Sequence, residues 1–131
     1  MTGVQTCALP ISNKNPARQL LILRSIIKSG EVVLHAHLPR AELLTRFASG
    51  KCKFVVSRHN AESFFPGAPK LISRLLSRLV IRKTNKVIAI SHAVSDFLIA
   101  EKEIVDLNKL VVIHYGYRPS AGTDRSTAKK D

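Results

Sequence analysis

His59 is the side chain best placed to do chemistry in this sequence. It stands one step past the run Val55-Val56-Ser57-Arg58, and Asn60 follows it. An imidazole changes charge near neutral pH, so it can hold or move a proton where an acid or base is wanted. Two further apolar runs break off in the same way: Val87-Ile88-Ala89-Ile90-Ser91-His92 and Val111-Val112-Ile113-His114-Tyr115-Gly116. Short β-branched runs of this kind read as buried parallel strands. Open α/β sheets bind ligands in the crevice beyond the C-terminal strand ends. All three runs place their polar residues there. The bland alternative for His59 is a ring that caps a helix or bonds a loop carbonyl.

His35-Ala36-His37 ends the preceding strand. Alternation is expected to send the two rings to opposite faces, so that the pair cannot grip one metal. A zinc site from His37, His59 and Cys52 matches no ligand spacing, and no metal is expected. Ser91 is explained as a helix N-cap. Free backbone N–H groups at that helix start would also suit an anion.

These residues need elements to hold them. Asn15-Pro16 is a helix start, with an apolar stripe of Leu20, Leu23, Ile26 and Ile27 and a stop at Ser29-Gly30. Glu31 to His37 reads as the first strand. Pro39 opens a second helix through Phe47, stopped by Gly50. Lys53 to Ser57 is the second strand, followed by a loop from His59 to Pro69. The third helix runs from Lys70 to Lys83, and Lys86 to Ile90 is the third strand. Ser91 caps a fourth helix to about Lys102, and Lys109 to Ile113 is the fourth strand. This alternation with short connections predicts a partial Rossmann-like α/β domain of four parallel strands, with helices on both faces.

Composition narrows the classes. An apolar fraction of 45% in 131 residues suits one globular core. No apolar run approaches the ~18–20 residues of a membrane span. Cys7 and Cys52 form no C-x-x-C pair and read as reduced thiols in a cytoplasmic protein. The net charge of +12 predicts attraction to polyanions such as nucleotide phosphates, anionic lipid or nucleic acid. Lys70, Arg74, Arg78 and Arg82 recur every four residues on the third helix, with Leu71, Leu75, Leu76 and Leu79 as its apolar side. Such a helix either packs on the sheet with a solvated basic face or lies on an anionic membrane, with Phe64 and Phe65 as a small wedge.

In order and spacing, the strand runs resemble the later half of the N-terminal domain of family 4 (group 1) glycosyltransferases, over about Asn15 to Tyr117. The resemblance implies a GT-B fold and a metal-independent, retaining sugar transfer from a nucleotide sugar. It places His59 at the reaction centre and makes His37 and Asn60 acceptor-contacting residues, with His35 a packing residue. Ser91 matches the small-residue turn after the third strand. Gly116 matches the Ile-x-x-Gly turn that closes such domains, with Tyr115 where Asn commonly stands; its role is a backbone with φ > 0. The glycine-rich loop, the residues that hold the donor diphosphate and the paired glutamates of a second domain are not among these residues. The expectation is therefore a fragment, inactive alone and marginally stable, whose nucleotide sugar is held mainly by a missing C-terminal domain.

Both ends fit that expectation. Residues 1–12 lack periodicity and resemble translated sequencing adaptor, and they lack the basic and apolar regions of a signal peptide. The domain is taken as 13–119, and 120–131 reads as a linker or tail. The competing reading is a basic α/β module for nucleic acid or an anionic membrane. Nucleic acid is the weaker half of it: aromatic residues make up only 5% of the chain, and stacking on single strands needs them.

Overall fold

The computed structural model describes residues 15–28 and 32–115. In chain order they form α1 (Pro16–Ile27), β1 (Val33–His37), α2 (Pro39–Ala48), β2 (Lys53–Arg58) and α3 (Lys70–Lys83). Then come β3 (Lys86–Ala89), α4 (His92–Ala100), a 3-10 turn (Leu107–Lys109) and β4 (Leu110–Val112). Local chemistry sets the ends. The Asn15 side chain accepts from the N–H groups of Ala17 and Arg18 at 3.0 and 3.4 Å, and proline follows at the first helical position. Past α2, Gly50 takes φ +51°, the left-handed conformation that stops a helix. The expected stop at Ser29-Gly30 lies outside the described residues.

The four strands form one parallel sheet in the order β1-β2-β3-β4. The Rossmann-like α/β class predicted from the sequence holds. Each connection steps the same way across the sheet. Crossovers of one hand therefore lay α2, α3 and α4 on the same face. That face carries Leu34, Ala36, Phe54, Val56, Val87 and Ala89, all buried. They pack with Phe64, with Val80 and Ile81 of α3, with Val94 and Leu98 of α4, and with Ile104. Ahead of β1, α1 leans on α2, and Arg24 donates to the Phe47 carbonyl at 3.3 Å.

The opposite face differs. Among the described residues no helix packs on it: Val33 is 62% exposed and Ile113 47%, and His35 and His37 on the same strand as Val33 are exposed too. The strand order never reverses within this segment, so its successive crossovers fall on one face.

The third helix corrects an expectation. Its inward side is Ser73, Ser77, Val80 and Ile81, while Leu71, Ile72 and Leu75 are more than half exposed. Leu76 packs toward the core and Leu79 is half-buried, but Leu71 and Leu75 of the expected apolar side turn outward. Serines face in where polar groups need partners. Ser77 bonds buried groups there, and Ser73 accepts from the Phe65 N–H at 2.9 Å.

Candidate functional site

Three histidines meet at the C-terminal edge of the open face. His35 and His37 lie two apart on β1 and so share a face, with ring centroids 4.3 Å apart. This overturns the expectation that alternation separates them, and His35 is exposed where packing was expected. The β1–β2 register sets His37 opposite Ser57, which brings His59 alongside it. The Nδ1 of His37 lies 2.9 Å from the Nε2 of His59. The Nε2 of His35 lies 2.8 Å from the Ser57 hydroxyl, and the His59 ring is 5.5 Å from that of Tyr115.

Partial burial, and the neighbouring His59, hold the His35 imidazole below its usual pKa. His37 is lowered too, first by burial and then by His35 and His59. Both rings are accordingly biased to the neutral form, which can accept or donate one hydrogen bond at each nitrogen.

His59 also lines a cavity of about 100 Å³ between the start of α2, the end of β2 and the following loop. Leu38, Glu42, Arg58, Asn60 and Glu62 line it as well. Leu38 caps α2 at φ 74°, a conformation that costs a bulky side chain about 1–3 kcal/mol. Asn60 donates to the Glu62 carboxylate at 2.6 Å.

Behind the cavity lies a charged cluster that sequence reasoning missed. The Arg58 side chain turns to the covered face, 7% exposed, and its guanidinium sits 4.5 Å over the Phe64 ring. It pairs with Glu42 at 2.9 Å and Glu103 at 3.4 Å, and donates to Ser77 at 3.1 Å. The Ser77 hydroxyl donates to Glu103 at 2.6 Å. Burial pushes the Glu42 carboxyl up to about 7, with Arg58 opposing and Glu103 reinforcing the rise. One guanidinium between two carboxylates leaves one negative charge over, and a proton on Glu42 removes it. An arginine inside an apolar run was the available signal; nothing in the sequence named its partners.

The other predicted residues fall elsewhere. The Ser91 hydroxyl accepts from the Val94 N–H at 3.3 Å, as an N-cap does. Lys70 and Arg74 lie 3.9 and 3.8 Å from Glu101, and Arg78 donates to the Lys102 carbonyl at 2.7 Å. Arg82 is exposed. Gly116 lies outside the described residues. Among the described residues no group of three His, Cys, Asp or Glu side chains is arranged to hold a metal ion.

A parallel sheet with its polar residues gathered past the strand ends defines a Rossmann-like domain with a strand-end site. The family model for glycosyltransferase family 4 matches residues 4–120, and the chain belongs to that family. The four-stranded sheet fits a part of the family's N-terminal domain. No curated protein and no solved structure matches the chain.

Proposed function

We propose that this chain is the acceptor-side part of a retaining glycosyltransferase that moves a sugar from a nucleotide sugar to an acceptor, whether glycan, lipid-linked or small molecule. The observation that carries the reading is His59, held by His37 at the sheet's C-terminal edge and opening on a cavity. His59 serves at the reaction centre, and His37 and Asn60 contact the acceptor. The donor's diphosphate falls to a second domain, without a metal. Such transfer needs hydrogen-bond donors for the leaving diphosphate, so the 131-residue chain alone is inactive.

The test is nucleoside diphosphate release from a panel of nucleotide sugars, using the chain extended by its flanking coding sequence. Release is expected, and His59→Ala should lower kcat about 100-fold or more. Turnover unchanged by His59→Ala would overturn the assignment of the residue. Absence of release from every donor would overturn the transferase reading.

One observation favours a second property of the same protein, attachment to an anionic membrane. Leu71, Ile72 and Leu75 stand outward on α3, with Arg78 and Arg82 on the same helix. Apolar side chains flanked by arginines suit a helix lying in the headgroup boundary. On this reading the enzyme works in the cytoplasm, against the inner face of a membrane. Among the described residues no helix is long and apolar enough to cross one.

A further inference from the structure

We propose that His37 is the positioning residue for His59: a single N–H···N hydrogen bond between them fixes the His59 proton and leaves its Nδ1 as the ring nitrogen that meets a ligand. The inference rests on the reading of His59 given above and assigns it a working atom.

The argument begins with the contact between ring nitrogens. His37 Nδ1 and His59 Nε2 are 2.9 Å apart, a hydrogen-bonding distance that neither two N–H groups nor two lone pairs can occupy stably. One nitrogen therefore carries a proton and the other accepts it. Since each neutral imidazole has one proton, fixing it at this contact fixes the tautomer of both rings. The Nε2 of His59 is then committed to its neighbour, and only Nδ1 is left for an acceptor hydroxyl.

The surroundings hold the pair in place. His35 lies beside His37, its ring tilted by 40° at a centroid distance of 4.3 Å, and is itself tied to the Ser57 hydroxyl at 2.8 Å. Tyr115 lies 5.5 Å from the His59 ring. His37 is the last residue of β1 and is still paired in the strand register, opposite Ser57, whereas His59 lies in the loop just past β2. The rigid ring thus orients the loop ring. The partial burial that disfavours charge on His37 keeps it available as a neutral partner.

Imidazole 15N chemical shifts in the labelled chain, above neutral pH, test this directly. A protonated ring nitrogen and a bare one differ widely in shift, and an exchanging ring reports an average. In the native chain His37 Nδ1 and His59 Nε2 should be opposite in kind, one protonated and one bare. His37→Phe should return His59 to a tautomer mixture. His37→Gln, which keeps an amide donor and acceptor, should restore a single tautomer. Averaged shifts for both nitrogens in the folded native chain would overturn the proposal, and so would a His59 tautomer unmoved by His37→Phe. Backbone spectra of each variant report folding, and the native measurement needs no variant. The proposal and the transferase reading fail separately. Averaged shifts with active sugar transfer remove only the positioning role; fixed tautomers with no transfer by the extended protein remove only the function.

Discussion

The two faces of the sheet are built from the same four strands and carry opposite problems. The helix-covered face buries Phe54, Val56 and Val87, yet it also holds a guanidinium and two carboxylates out of water. The open face leaves Val33, Val111 and Ile113 in solvent, yet it gathers the histidines that suit a polar ligand. Charge is thus most deeply buried where apolar packing is best, and apolar surface is most exposed beside the candidate site. The lesson concerns topology. Crossovers that step one way cover one face, whatever the sequence places on the other. Buried charges persist there because they pair with one another.

The sharpest way to break this comparison is to cut a side chain on each face. Phe54→Ala removes a fully buried ring and should cost about 3–5 kcal/mol, enough to unfold a marginal domain. Val33→Thr, on the neighbouring strand but the open face, should stay within about 0.5 kcal/mol. Urea unfolding of both variants measures the difference. A Val33 cost near that of Phe54 would mean that the open face is covered in solution, and the contrast would collapse.

The charged cluster gives a smaller effect with a definite sign. Glu42 has a folded pKa of about 7, above its ordinary 4.5. Between those values the folded protein binds the proton and the unfolded chain does not. The associated stability is full below pH 4.5 and is lost as pH rises through 7, on the order of 3 kcal/mol in all. His35 and His37 work the other way. Their folded values are lowered from 6.5, so they subtract stability as pH falls below that point. Unfolding midpoints from pH 4.5 to 7.5 should therefore fall on the alkaline side in the native chain. Glu42→Gln, which keeps the shape without the proton, should remove that fall. A native profile that rises steadily toward neutrality would show that Arg58 keeps Glu42 ionised.

How much of this could be read from residues alone divides along the same line. Strands were legible because Val55-Val56, Val87-Ile88 and Val111-Val112 are β-branched and end in polar groups. Helix starts were legible because Asn15-Pro16 and Ser91 are capping chemistry. The side a helix presents to the sheet was not. Leu71 and Leu75 make a persuasive inward stripe, yet Ser73 and Ser77 face in instead, bonded to the Phe65 N–H, Arg58 and Glu103. The pairing of His37 with His59 across 22 residues depends on strand register, and no local pattern carries that. Arg58 was visible, but Glu42 and Glu103 look like ordinary surface glutamates until the fold encloses them. His35 was misplaced for a simpler reason: residues two apart on a strand share a side.

The outward leucines give the smallest stability effect and the most selective test. Leu71 is 64% exposed and Leu75 55%, so neither contributes much to the core. Replacing both with glutamine should change unfolding stability by less than about 0.5 kcal/mol per site, the usual range for surface positions. If these residues enter a headgroup boundary, the same double variant should lose most of its cosedimentation with vesicles containing anionic lipid. Arg78→Gln with Arg82→Gln should weaken binding as well, and in a salt-dependent way, because the arginines act through charge. Vesicles of neutral lipid separate the two contributions, since only the apolar part should survive there. Two results would count against a membrane face: a marked loss of stability in the leucine variant, showing that the helix packs inward after all, or undiminished binding to anionic vesicles. Either would return α3 to the role of an ordinary covering helix and leave the contrast between the two sheet faces standing on the strands alone.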